Sequence, residues 1–197
     1  MVSDLTPSTV YAECNTNSAI AEVTFEKKPK VLHCRGVTEC IKRVEKSIRR
    51  TRSIGGGSRV RAVFIDLEDE SRSPDKYFMV REFVDKRLSR NFIKICEKES
   101  NNIKIIYYKN IINFNKQNDF ENDLLVVVLF EGGPERVLEK LDRRLYRELA
   151  RDPRKFKEKS IWRKAKGECP ESDSACRAIL RISRKIKEML KEILGRN

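Results

Sequence analysis

The sequence holds a single histidine, His33, a single tryptophan, Trp162, and a single glutamine, Gln117, and it contains no Cys-x-x-Cys pair. A structural zinc site needs four closely spaced thiolate or imidazole ligands, so none is expected here. No apolar run approaches the roughly 20 residues that span a bilayer, so no membrane partner is expected. Met1 to Val10 carries Asp4 and lacks the apolar stretch of a secretory signal, which predicts a cytoplasmic location. Wholesale disorder is disfavoured, because aliphatic residues are plentiful and clustered.

Charge is what the chain has in excess. Its 197 residues include 43 Lys+Arg against 30 Asp+Glu, a net charge of +13. Such an imbalance fits a polyanionic partner, nucleic acid (DNA or RNA) first. The competing explanation is a Lys/Arg-rich proteome. Scarce glutamine beside abundant Ile, Lys, Arg and Glu suggests a hot-growing organism. In such a cytosol disulfides are an option for the six cysteines, through Cys169 with Cys176 or Cys14 with Cys34. Six free thiols are the equal alternative. A chain of this length buries roughly 70% of its unfolded surface and needs no such staple.

The segments alternate in type. Ser8 to Cys14 and Lys30 to Cys34 read as strands, with a helix carrying Ala19, Ile20 and Val23 between them. Asn15, Thr16 and Asn17 offer N-caps for that helix. Val37, Cys40, Ile41, Val44 and Ile48 keep helical spacing to about Arg52, and Gly55, Gly56 and Gly57 read as a loop. Val60 to Ile65 is a strand running into Asp66-Leu67-Glu68-Asp69-Glu70. Ser73-Pro74 starts a helix, and Tyr77, Val80, Val84, Leu88, Phe92 and Ile95 at spacings of three and four predict that it runs through them. Ile103 to Tyr108 is a strand, followed by an Asn-rich loop. Leu124 to Phe130 is wholly apolar, as in a strand covered on both faces. One helix from Pro134 carries Val137, Leu138, Leu141, Leu145 and Leu149. A basic loop then leads to a last helix, Ser174 to Leu194, whose apolar seam docks on the body or pairs two copies as a homodimer.

This order predicts an α/β fold: a mostly parallel open sheet with helices on both faces, plus a C-terminal helical extension. The division is residues 1–150 for the α/β domain, and 151–197 for the basic loop and the amphipathic helix packed on it. In such sheets functional groups collect beyond the C-terminal strand ends. Glu13, Asp66, Glu68 with Asp69, and Glu131 all fall at such ends, and convergent carboxylates suit Mg²⁺ (or Mn²⁺).

Three pieces carry a family likeness: Thr9-Val10-Tyr11-Ala12-Glu13, Val31-Leu32-His33-Cys34-Arg35-Gly36, and Val63-Phe64-Ile65-Asp66-Leu67-Glu68. Together they resemble the Toprim domain of topoisomerases, bacterial-type primases and overcoming-lysogenization-defect nucleases, in a small stand-alone, archaeal-type form. The resemblance covers roughly residues 8–130. It implies Mg²⁺-dependent phosphodiester cleavage or transfer, with Glu13 as catalytic acid/base and Asp66 and Glu68 as metal ligands; the adjacent Asp69 is a further candidate ligand by position. Cys14 stands where the family usually has Gly, Asn17 where it often has Asp, and Glu68 where it has a second Asp. Those departures leave open a degenerate member that binds nucleic acid without cutting it. Topoisomerase action is not expected, since no tyrosine sits in a recognisable nucleophile setting.

Basic residues cluster twice. Residues 41–61 carry Arg49, Arg50 and Arg52 with Lys42, Arg43, Lys46, Arg59 and Arg61. Residues 151–166 carry Lys155, Arg163 and Lys164 among others, with Phe156 and Trp162 interleaved. Cations with aromatics suit single-stranded nucleic acid, through phosphate contacts and base stacking; the alternative places both rings in the core. A further rival is a nucleotide-sugar glycosyltransferase using Asp66-Leu67-Glu68 to hold a metal and a sugar diphosphate.

Overall fold

The computed structural model describes residues 6–25, 27–54, 60–110, 123–167, 169–170 and 172–195, and of 51–54 the backbone only. Its centre is a six-stranded sheet in the order β2-β1-β3-β6-β5-β4. The strands are β1 (Thr9–Ala12), β2 (Lys30–His33), β3 (Val60–Leu67), β4 (Phe92–Ser100), β5 (Ile103–Asn110) and β6 (Leu124–Glu131). β2, β1, β3 and β6 run parallel, while β5 and β4 are antiparallel additions at one side. Helices α1 (Asn15–Thr24) and α2 (Val37–Ile54) make the first two crossovers.

Side chains alternate between two cores, as strand periodicity dictates. Ala62, Phe64, Val126, Val128 and Phe130 face one core, which α1 and the C-terminal helices cover. Val63, Ile65, Leu125, Val127 and Leu129 face the other, under α2 and α3 (Pro74–Glu82). Cover on both faces is why the β6 segment has no polar alternation. In α2 the periodic positions Val37, Cys40, Ile41, Val44 and Ile48 are all buried. The last helix, α8 (Ser174–Leu194), buries Ala175, Ile179, Ile182, Ile186, Met189 and Ile193 within the chain itself, against α1 and its neighbours. Each such aliphatic burial is worth roughly 1.5–3 kcal/mol relative to exposure, which holds α8 to the body.

Four expectations are corrected. The helix from Pro74 does not reach Ile95. It widens into a π turn over Phe83–Arg87, tightens into a 3-10 turn over Leu88–Arg90 and stops at Asn91, and Phe92 begins β4. The spacing of Phe92 and Ile95 mimics a helix, but Asn101 and Asn102 close a two-residue hairpin with φ of 54° and 63°. Asn tolerates that left-handed region better than other non-glycine residues. The hairpin's pairing with β5 overrides the local helical pattern. The helix from Pro134 is two helices, α4 (Pro134–Leu141) and α5 (Arg143–Ala150). Asp142 leaves the helix at φ −155° and caps α5, its carboxylate accepting the Leu145 N–H at 3.0 Å. The basic loop contains α6 (Arg154–Lys157) and α7 (Lys159–Lys166). The first helix is capped by Cys14, whose Sγ accepts the Asn17 N–H, rather than by Asn15, Thr16 or Asn17. The glycine loop at 55–57 and the Asn-rich loop from 111 to 122 lie outside the described residues.

All six cysteines are free thiols. The Cys34 thiol donates to the Leu32 carbonyl at 3.4 Å. Among the described residues no helix is long and apolar enough to cross a membrane.

Candidate functional site

Parallel registry brings the ends of β1, β3 and β6 to one sheet edge. Ala12 pairs with Phe64, and Asp66 with Phe130, so Glu13 stands one step beyond β1 beside the end of β3. The Glu13 carboxylate turns inward and accepts the backbone N–H of Asp66 on Oε2 at 2.8 Å. It is 7% exposed. Burial raises its pKa above the ordinary carboxylate value; the Asp66 N–H and the charge of Lys76 work against that rise.

Asp66 is recessed at the mouth of the same cleft. Its Oδ1 accepts the amide of Asn17 at 2.9 Å, from the first turn of α1. Its pKa is pushed well above the usual range, first by burial and then by the neighbouring Glu13 charge. Among the described residues, Oδ1 of Asn17 is buried without a hydrogen-bond partner. Glu68 lines the cleft two residues on, with Lys76 Nζ 3.8 Å away. Asp69 does not join them. It is exposed and holds its own turn, accepting the Ser71 hydroxyl at 2.6 Å and the Ser71 N–H at 2.9 Å, which keep its carboxyl below the ordinary range.

A fourth carboxylate arrives from an element beyond the motif. The β6-to-α4 turn is Gly132-Gly133, with φ of 72° and 85°. It places Glu135 in the first turn of α4, where its charge adds to the raised pKa of Asp66. A Cβ on Gly133 would lie 3.2 Å from Glu135 Oε2 and 4.0 Å from Asp66 Oδ2. With φ at 85° and ψ at 168°, Gly133 occupies a region that is essentially glycine's alone. Gly133→Ala is expected to lower stability by about 1–3 kcal/mol in urea unfolding. An unchanged midpoint would show that the turn relaxes freely.

Glu135 is paired with Lys157 Nζ at 2.9 Å. Lys157 belongs to α6, which is tied to α1: the Thr16 hydroxyl donates to the Phe156 carbonyl at 2.5 Å and the Asn15 amide to the Lys157 carbonyl at 3.2 Å. Phe156 anchors the segment, 1% exposed in the core. The result is a cleft of about 750 Å³ in which Glu13, Asp66, Glu68 and Glu135 are faced by His33, Arg35, Arg72, Arg136 and Lys157. A neighbouring opening of about 970 Å³ shares Glu68, Gly132 and Arg136 with it and takes in Asp69 and Glu131. Glu131, expected on this edge, therefore looks into the second opening.

Apart from Lys157, the basic residues singled out in the two clusters sit away from this centre. α2 leaves the cleft edge at Val37 and runs back along the sheet, so Arg49 lies about 18 Å further along its axis at 1.5 Å per residue. Arg49 and Arg50 are exposed near the opposite sheet edge, and the side chain of Arg52 lies outside the described residues. Arg61 is buried rather than displayed, paired with Asp123. In the second cluster Lys155 is 3.5 Å from Asp152, Lys164 pairs with Asp173, and Arg163 is exposed. Trp162 turns inward: its indole N–H donates to Glu22 at 3.1 Å. His33 packs at 5.6 Å from its ring and Lys166 Nζ lies 4.2 Å from its centroid. Burial, with the charges of Arg35, Arg43 and Lys159, lowers the His33 pKa.

The strand-end rule found Glu13, Asp66 and Glu68. It missed Glu135, because that residue lies one helical step past the strand end, and it gave Lys157 no place in the site. The signal for Glu135 was Gly-Gly-Pro-Glu after an apolar strand on the same edge. Among the described residues, no three Asp, Glu, His or Cys side chains converge closely enough to enclose a metal by themselves. The donors present still suit Mg²⁺. They are hard oxygens, Asp66 and Glu13 repel when both are ionised, and a buried amide oxygen stands unpartnered next to Asp66. Mg²⁺ characteristically takes one or two carboxylates and keeps several waters. Comparison with known proteins returns no matching family model, no similar curated protein and no similar solved structure.

Proposed function

We propose that this chain is a nucleic-acid-acting enzyme of Toprim-like type that cleaves or transfers phosphodiesters with Mg²⁺ (or Mn²⁺). The observation that carries the reading is the juxtaposition of Glu13 with Asp66 at the parallel strand ends, inside a cleft whose other wall is cationic. Asp66 and Glu68 are the residues that would hold the cation. The cation, when bound, supplies charge stabilisation to a phosphoryl oxygen and orients the reacting groups.

The chain's own groups do the rest. Burial raises the Glu13 pKa and the Asp66 N–H anchors its carboxylate, a setting that suits a group passing a proton to a leaving oxygen. Arg35, Arg72, Arg136 and Lys157 face the acids across the cleft and can receive phosphate oxygens. Lys157 is paired with Glu135, and an incoming phosphate competes for that ammonium. Arg49, Arg50, Lys155 and Arg163 extend the cationic surface for phosphates farther along a strand.

The test is a titration of labelled single- and double-stranded DNA and RNA, with Mg²⁺, with Mn²⁺ and with chelator, read for binding and for cleavage. Metal-dependent cleavage lost in Glu13→Gln is the expected result. Binding without cleavage would assign the chain to the non-catalytic members. Indifference to every nucleic acid at low salt would remove the reading and favour the glycosyltransferase.

A further inference from the structure

We propose that the groove between α5 and α8 is a second anion-binding site, built for phosphate groups and separate from the acidic cleft. The groove has a volume of about 470 Å³, and four arginines line it: Arg144 from α5, and Arg177, Arg181 and Arg184 from α8. The three on α8 stand at i, i+4 and i+7, so they share one side of the helix. Arg144 faces them from the neighbouring helix.

Among the described residues only two acids line the same groove, and both are occupied. Asp142 caps α5 through the Leu145 N–H at 3.0 Å. Glu148 takes Arg177 in a two-pronged pair at 2.8 and 2.9 Å. That leaves Arg144, Arg181 and Arg184 with no acidic partner among the described residues, although they face one another. Three unmatched guanidinium groups repel one another, and a bound anion relieves that repulsion. A guanidinium fork matches phosphate oxygens two at a time. Leu145 and Leu180 supply the apolar part of the groove wall.

The site does not depend on the function proposed above, since it uses none of the residues of the acidic cleft. Two sources supply the same chemistry: the backbone of a polynucleotide and a free phosphate compound. Both are tested in chelator, so that any metal-dependent activity is silent. The unfolding temperature is measured in inorganic phosphate and in chloride at equal ionic strength. A labelled dT20 oligonucleotide is titrated over a range of salt.

Phosphate is expected to raise the unfolding temperature of the native chain and to have no specific effect on Arg144→Ala/Arg181→Ala/Arg184→Ala. If a polynucleotide is the natural source, the triple variant flattens the log K against log salt slope by about 2, from roughly 0.7 per lost contact. Affinity near 0.1 M salt then falls about a hundredfold. If oligonucleotide binding is unchanged while the phosphate effect is lost, a free phosphate compound is the source. A matched variant, Lys30→Ala/Lys86→Ala/Arg90→Ala, removes the same charge elsewhere and should keep the phosphate effect. Should the first variant not fold, Arg181→Gln/Arg184→Gln carries the same measurement. The proposal is overturned if phosphate fails to stabilise the native chain, or if it stabilises native, groove and matched variants alike.

Discussion

Asp66→Asn is expected to abolish metal-dependent cleavage, by about a thousandfold or more, while making the protein more stable near neutral pH. The loss comes from removing one of the two carboxylates that would hold the cation. Such ions contribute several kcal/mol to the transition state, and each 1.36 kcal/mol is tenfold in rate. The gain comes from linkage. Burial and the Glu13 charge raise the Asp66 pKa, so the folded state holds that proton more tightly than the unfolded chain does. The associated stability is fully present below the unfolded pKa and is lost as pH rises through the folded one. The amide cannot ionise, so the variant escapes that loss. Its unfolding temperature should match the native protein's in acid and exceed it at neutral pH. Mg²⁺ at about a hundred times its Kd should stabilise the native chain by about 2.7 kcal/mol and the variant not at all. Cleavage unchanged in Asp66→Asn would show that these carboxylates do no chemistry.

Asp123→Ala is expected to be the most damaging single change to stability, at about 3–5 kcal/mol. Asp123 and Arg61 form an ion pair whose side chains are 5% and 2% exposed, and the Asn110 amide also donates to Asp123 at 3.3 Å. Alanine removes the carboxylate with which this buried guanidinium is paired. For a chain of this size the loss corresponds to a fall of about 6–20 °C in unfolding temperature. Replacing both partners with apolar residues, Arg61→Met with Asp123→Leu, should recover most of it, because neither charge of the pair remains. Calorimetry on the single and double variants decides the matter. A double variant as unstable as the single one would show that the pair's hydrogen bonds, and not the buried charge, carry the effect.

The α/β class was legible because its carriers are local. The apolar runs at Val63 to Ile65 and Leu125 to Phe130 need cover on both faces, and the helical spacing from Val37 to Ile48 supplies one such cover. Strand-end logic also found Glu13, Asp66 and Glu68, since parallel strands deliver the residues just past their C-terminal ends to a common edge. Local pattern could not show partners distant in sequence. The hairpin at Asn101-Asn102 turned an apparent helix at Phe92 into a strand, because pairing with β5 outweighs a weak periodicity. Arg61 read as surface charge until Asp123 was found against it. Glu135 and Lys157 lie 122 and 144 residues from Glu13, and only the docking of α6 on α1 brings the lysine to the acids. Trp162 read either as a stacking platform or as a ring tucked into the core, and the bond that turns it inward comes from Glu22, 140 residues away. Side-chain chemistry and spacing are written along the chain, whereas burial and charge pairing exist only after distant segments meet.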